Sequence, residues 1–232
     1  MDFALAGLFL APGLAVGSFL NVVVARVPLR RSIVSPPSAC MACGERIAWY
    51  DNVPLVSWAV LRGRCRRCGT RIPFLYPAVE LVTALLVAGC VLAFGLSAEA
   101  AVAAAFCAVL VVVSAIDLEH RIIPNRIVVP AAAVALAASG FLFAAALAYP
   151  KGMGMGDVKL ALLMGAVLGR TVSVALMTGM LAAMVPGVYL LARYGNAGRK
   201  MGIPFGPFLA AGSVVALFWG HELLHAYFSA LD

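Results

Sequence analysis

The chain has 232 residues, 64% of them hydrophobic and only 12% charged, with a net charge of +7 and a mean hydropathy of +1.02. A water-soluble domain carries about 45–50% apolar residues, so this composition excludes one and indicates an integral membrane protein. The positive charge does not point to nucleic acid. Nine of the seventeen Lys and Arg lie between Arg26 and Arg71, and most others flank apolar runs, at Arg121, Arg126, Lys151, Lys159, Arg193, Arg199 and Lys200. That distribution marks the cytoplasmic loops of a membrane protein.

The first apolar run, 3–24, has no basic residues before it and no small-residue cleavage site after it. It is expected to be a first spanning helix rather than a cleaved signal peptide. A polar segment, 25–75, follows. Within it Cys40-Met-Ala-Cys43 and Cys65-Arg-Arg-Cys68 form a CxxC pair, and Gly44 and Gly69 come directly after each turn, where a glycine permits positive φ. Four thiolates from two tight turns suit tetrahedral zinc, and a cytoplasmic loop disfavours the alternative of two disulfides. The loop has too little apolar content for a core, so metal binding is expected to supply its folding energy. The role is structural, because four thiolates leave no open position for water. Arg62, Arg64, Arg66 and Arg67 surround the second turn and offer contacts to lipid phosphates or an anionic cofactor, although topology alone accounts for them. Cys90 and Cys107 lie inside apolar runs and are expected in the core.

Further spans are expected at 76–95, 99–116, 127–149, 158–169, 171–194 and 204–228. The expected fold is therefore an all-α, polytopic transmembrane bundle of about seven or eight spans with a small cytoplasmic zinc knuckle. Two parts are expected: 1–75, the first helix and metal loop, and 76–232, the membrane-embedded bundle. Placing 25–75 in the cytoplasm puts the segments around 117–126 and 194–202 there too.

Glu80, Asp117, Asp157 and Glu222 lie in or at the ends of apolar runs. Ionisable groups at that depth are costly and point to function. Asp117 ends the run 100–116. Asp157 follows Gly152-Met-Gly154-Met-Gly156, whose glycines leave backbone open to a substrate strand. Each aspartate alone also fits a solvated helix end or an N-cap. Together, on one expected face, they form a candidate dyad able to activate water and protonate a departing amine. His221-Glu222-Leu-Leu-His225 is a literal HExxH, the zinc-metalloprotease signature. A membrane metalloprotease using His221, Glu222 and His225 is thus a rival reading, weakened by the motif's expected place on the outer face. A transporter or assembly scaffold is a non-enzymatic alternative.

The chain resembles the bacterial type IV prepilin peptidases, a GxGD-type group of membrane aspartic proteases. The matching residues are Gly17-Ser-Phe-Leu-Asn-Val-Val-Val-Ala-Arg26-Val-Pro28, the CxxC pair, Tyr76-Pro-Ala-Val-Glu80-Leu, Ala115-Ile-Asp117-Leu-Glu-His-Arg-Ile-Ile-Pro124, and Lys151 to Leu160 with Gly154-Met-Gly156-Asp157. The resemblance implies a bifunctional enzyme of the bacterial inner membrane. It would cut the leader from prepilin or pseudopilin precursors at the cytoplasmic face, then methylate the new N-terminus with S-adenosylmethionine. It implies Asp117 and Asp157 as the catalytic pair and links the metal loop to methylation. No residues are assigned to the methyl donor, Glu80 has no assigned role, and the oligomeric state stays open. Membrane lipid is an expected partner; nucleic acid is not. The chain departs from the family in one respect. The resemblance implies enough chain between the aspartates for two full spanning helices, about 40 residues before any turn is counted, whereas only 39 residues separate Asp117 from Asp157 here. One straight helix over 127–149 would place the aspartates on opposite faces, so a break or reversal is expected between 135 and 143.

Overall fold

A computed structural model of the chain describes residues 3–137, 155–195 and 203–229, with backbone only at 5, 134–137 and 155–158. Its secondary structure is helical, and among the described residues the only extended pairings are two isolated bridges. Five helical stretches among them are long and apolar enough to cross a membrane: Ala6–Arg26, Leu75–Phe94, Ala98–His120, Lys159–Tyr194 and Gly206–Ser229. The expected spans 158–169 and 171–194 are thus joined, through a single 3-10 turn at Gly169–Thr171. The expected span 127–149 begins as a helix at Asn125–Ala137. The expected reversal between 135 and 143 falls mostly on residues outside the described ones.

The chain divides into two compact units, 1–115 and 116–232. In the first, α1 (Phe3–Leu8) and α2 (Leu10–Arg26) lie against α4 (Leu75–Phe94). The short α3 (Val56–Val60) lies within the intervening loop. Lipid tails are as apolar as the helices, so van der Waals fit rather than the hydrophobic effect must hold such a pair together, and small residues let backbones approach. Gly13 and Gly17 do this on α2. A Cβ on Gly13 would lie 2.7 Å from Ala84 Cα, and one on Gly17 would lie 2.6 Å from Glu80 Cα. Gly17→Leu is therefore expected to destabilise the unit by about 1–3 kcal/mol through overpacking. Gly7→Leu, at a position with nothing within 4 Å, is expected to change little. Thermal unfolding in detergent distinguishes the two variants.

Helix α5 (Ala98–His120) carries the chain into the second unit. That unit contains α6 (Asn125–Ala137), α7 (Met155–Leu168), α8 (Val172–Tyr194) and α9 (Gly206–Ser229). Helix α6 packs on α7, and α8 on α9. The α8–α9 seam also depends on small residues, because a Cβ on Gly212 would meet Ala175 O and Gly179 N. Ile116, Val128, Leu160, Met164 and Leu209 are fully buried. Met177, Met180, Leu181, Met184, Val185 and Val188 of α8 are all exposed. Their helical spacing makes one apolar stripe suited to lipid.

Candidate functional site

The loop of the first unit is built from two near-identical turns. Ala39 bridges Arg46, and Arg64 bridges Arg71. In the first turn Cys40 N–H donates to Glu45 O at 2.9 Å and Gly44 N–H to Cys40 O at 2.9 Å. In the second, Cys65 N–H donates to Thr70 O at 2.9 Å and Gly69 N–H to Cys65 O at 3.0 Å. Gly44 and Gly69 both have φ of +70°, the conformation expected of them from sequence. The ligand atoms of Cys40, Cys43, Cys65 and Cys68 all lie within 4.8 Å of one another. Cys40 Sγ and Cys68 Sγ are 3.7 Å apart. Zinc–sulfur bonds of about 2.3 Å in a tetrahedron put sulfurs about 3.8 Å apart, whereas a disulfide needs about 2.05 Å. The donor set therefore fits a four-coordinate zinc ion. Of the four arginines around the second turn, two have acidic partners earlier in the loop. Arg66 pairs with Asp51 at 2.6 Å, lowering that carboxyl below its usual range, and Arg67 pairs with Glu45 at 2.6 Å.

The thiols differ in readiness. The Thr70 hydroxyl and backbone N–H lower Cys68 to about 6. The Glu45 backbone favours the Cys43 thiolate, but partial desolvation and the neighbouring Cys40 and Cys68 sulfurs outweigh it and raise Cys43 to about 11. Metal binding at neutral pH is therefore expected to displace the Cys43 proton against more resistance than that of Cys68 or of Cys40, which the Cys43 and Ala42 backbone also lowers. Because protons compete with metal for thiolates, apparent zinc affinity is expected to rise with pH between about 6 and about 11. Competition against a chelating dye at two pH values checks the sign.

Glu80 is buried in α4, and its Oε2 accepts the Leu55 N–H at 2.8 Å, where the chain turns into α3 with Leu55 at φ +59°. Asn21 of α2 donates to Tyr76 O at 3.0 Å. Glu80 thus ties the loop to the membrane helix, a contact across 25 residues that the sequence reading did not foresee.

In the second unit, Asp117 lies near the end of α5 and is only 6% exposed. Its Oδ2 accepts the Gly206 N–H, at the start of α9, at 2.9 Å. Gly206 was missed from sequence; the signal available was Ile203-Pro-Phe-Gly206-Pro207, since Pro favours the first turn of a helix. Gly156 and Asp157 lie in the first turn of α7; Gly154 and the Asp157 side chain lie outside the described part. Lys159, two residues beyond Asp157, donates to Asn125 Oδ1 at 2.8 Å, and Asn125 follows Asp117 by eight residues. The start of α7 therefore lies beside the segment that leaves α5.

The HExxH has a different location. His221, Glu222 and His225 are exposed near the end of α9. His221 is fifteen residues beyond Gly206, about 22 Å along the helix. Among the described residues the group able to hold a metal through three or more side chains is the cysteine cluster.

Comparison with known proteins bears on both units. The Bacterial Peptidase A24 N-terminal domain family matches residues 12–94, from α2 through α4. The chain is 48% identical over 157 residues to the prepilin leader peptidase/N-methyltransferase of Myxococcus xanthus, a match covering 68% of this chain and 43% of that protein. It is 35% identical to the enzyme of that name from Bacillus subtilis, with 93% of this chain and 94% of the relative covered. With the Burkholderia pseudomallei (strain 1026b) relative, identity is 36% over 90% of this chain and 83% of that protein. That alignment runs over 260 positions, more than this chain possesses, so the relative carries residues that this chain lacks. No solved structure matches. The resemblance read from the motifs thus holds across nearly the whole length: the chain belongs to the prepilin leader peptidase/N-methyltransferase family.

Proposed function

We propose that the chain is a membrane aspartic endopeptidase that removes the leader of prepilin or pseudopilin precursors at the cytoplasmic face and then N-methylates the new N-terminus. The observation that carries the peptidase half is the Lys159–Asn125 contact, which supports bringing the helix start that bears Asp157 to the end of the bundle where Asp117 is buried. Two carboxylates sharing one proton divide the work. The ionised one takes a proton from water as its oxygen attacks the scissile carbonyl carbon. The protonated one donates to the carbonyl oxygen, and a proton passes to the departing amine as the C–N bond breaks. Glycine at 154 and 156 is the residue type that leaves backbone open to a substrate strand. The Lys and Arg distribution supports the cytoplasmic orientation.

Residues 1–75 are assigned to methylation and 76–232 to proteolysis. S-adenosylmethionine, when bound, supplies a sulfonium methyl group to the free N-terminal amine. Cys40, Cys43, Cys65 and Cys68 would hold a structural zinc ion that keeps the loop folded.

The test is incubation of the purified protein with a candidate precursor, with and without S-adenosylmethionine, followed by mass spectrometry. Leader loss is expected in both samples and one added methyl group only with the donor. An intact precursor in the presence of folded protein overturns the peptidase reading. Cleavage that survives Asp117→Asn but is lost in Glu222→Gln transfers the chemistry to the HExxH.

A further inference from the structure

We propose that Gly206 is a positioning residue of the peptidase site: its N–H fixes Oδ2 of Asp117 and leaves Oδ1 to face water and substrate. The proposal rests on the reading of Asp117 as catalytic. The first N–H groups of any helix lack acceptors within it, and α9 resolves this in an unusual way. Pro207 has no N–H. The Phe208 and Leu209 N–H groups both reach back to Phe205 O, at 3.1 and 3.2 Å. The Gly206 N–H donates to a carboxylate 89 residues earlier in the chain. Asp117, in turn, is a buried acceptor at the edge of an apolar helix, where an unsatisfied carboxylate would be costly.

Space at 206 is also tight, and what it presses on is Asp117 itself. A Cβ at 206 would lie 2.8 Å from Asp117 Oδ2 and 3.3 Å from both its Cβ and its Cγ. The flanking Pro207 restricts residue 206 further, so relief by backbone rotation is limited. An added methyl group would push the carboxylate out of its place while leaving both residues' chemistry intact. Misplacing a catalytic group by about an ångström can cost on the order of 100-fold in rate, so a shift of a few tenths of an ångström is expected to cost part of that.

Gly206→Ala in the full-length protein is expected to reduce kcat on a precursor substrate by about 10-fold while KM changes by less than about threefold. A second variant separates the hydrogen bond from the clash. Glycolic acid incorporated at position 206 during cell-free translation replaces the N–H by an ester oxygen and adds no side chain. Loss of one preorganised donor is expected to lower its kcat on the order of 10-fold. If Gly206→Ala fails to fold, the ester variant decides. Wild-type kcat in the ester variant, or a change confined to KM, overturns the proposal. With Asp117→Asn inactive, such a result leaves the aspartic reading standing; cleavage by Asp117→Asn would sink that reading itself.

Discussion

Asp117→Asn and Asp157→Asn are each expected to reduce leader cleavage by about 10³-fold or more while leaving the protein inserted and folded. General acid–base catalysis by a positioned group contributes about 10² to 10⁴, and an amide can take neither role in the proton exchange. The environment of Asp117 makes its substitution a clean test. Asn retains a carbonyl oxygen able to accept the Gly206 N–H, so the α9 start keeps its partner and the shape of the site is preserved. What changes is the ability to carry a proton. Because the two carboxylates act as a unit, the double variant should be little worse than either single one. Initial rates on a precursor, with circular dichroism in detergent as the fold control, provide the measurement. Substantial cleavage by either single variant removes that residue from the mechanism.

Stripping the metal is expected to have the second largest effect, and on a different observable. Structural zinc contributes about 10–16 kcal/mol to the folding of small cysteine-rich units, far more than two surface ion pairs such as Arg66–Asp51 and Arg67–Glu45 can replace. Chelation, or Cys65→Ser, should therefore open the loop and free its backbone for tryptic cleavage after Arg62, Arg64, Arg66, Arg67 and Arg71, whose side chains are already exposed, while the α2–α4 pair survives. Methylation should be lost and cleavage retained. The native protein should carry about one zinc per chain. A metal-free protein whose loop resists trypsin, or one with disulfides among Cys40, Cys43, Cys65 and Cys68, contradicts the assignment.

The parts of this molecule legible in the sequence are those written locally. The apolar runs fixed the helices because hydrocarbon leaves the backbone no other partners. Each knuckle was readable because two cysteines, a glycine and a backbone hydrogen bond fall within six residues. The contacts that tune the site were not legible, because they join distant positions. Asp117 read as the end of its own helix, and nothing near it in sequence announces that α9 begins against it. Glu80 was conspicuous as a carboxyl in an apolar run, but its partner is a backbone N–H in the loop, which carries no side-chain signature. Arg66 and Arg67 looked free for anionic ligands because sequence spacing does not reveal that Asp51 and Glu45 reach them.

The α2–α4 contact has a further consequence for the metal loop. With Gly13 and Gly17 pressing one stem onto the other and Asn21 bonded to Tyr76 O, the two ends of the segment between Arg26 and Leu75 are held together before any metal arrives. Closing a free loop of that length costs about 3 kcal/mol in chain entropy on the length-dependent part alone. The helix pair bears that penalty within the bilayer. Metal has only to order the interior, and the loop in return serves the bundle at Leu55, whose N–H satisfies the buried Glu80 carboxyl of α4, so the knuckle can vary in length around that anchor but not lose it.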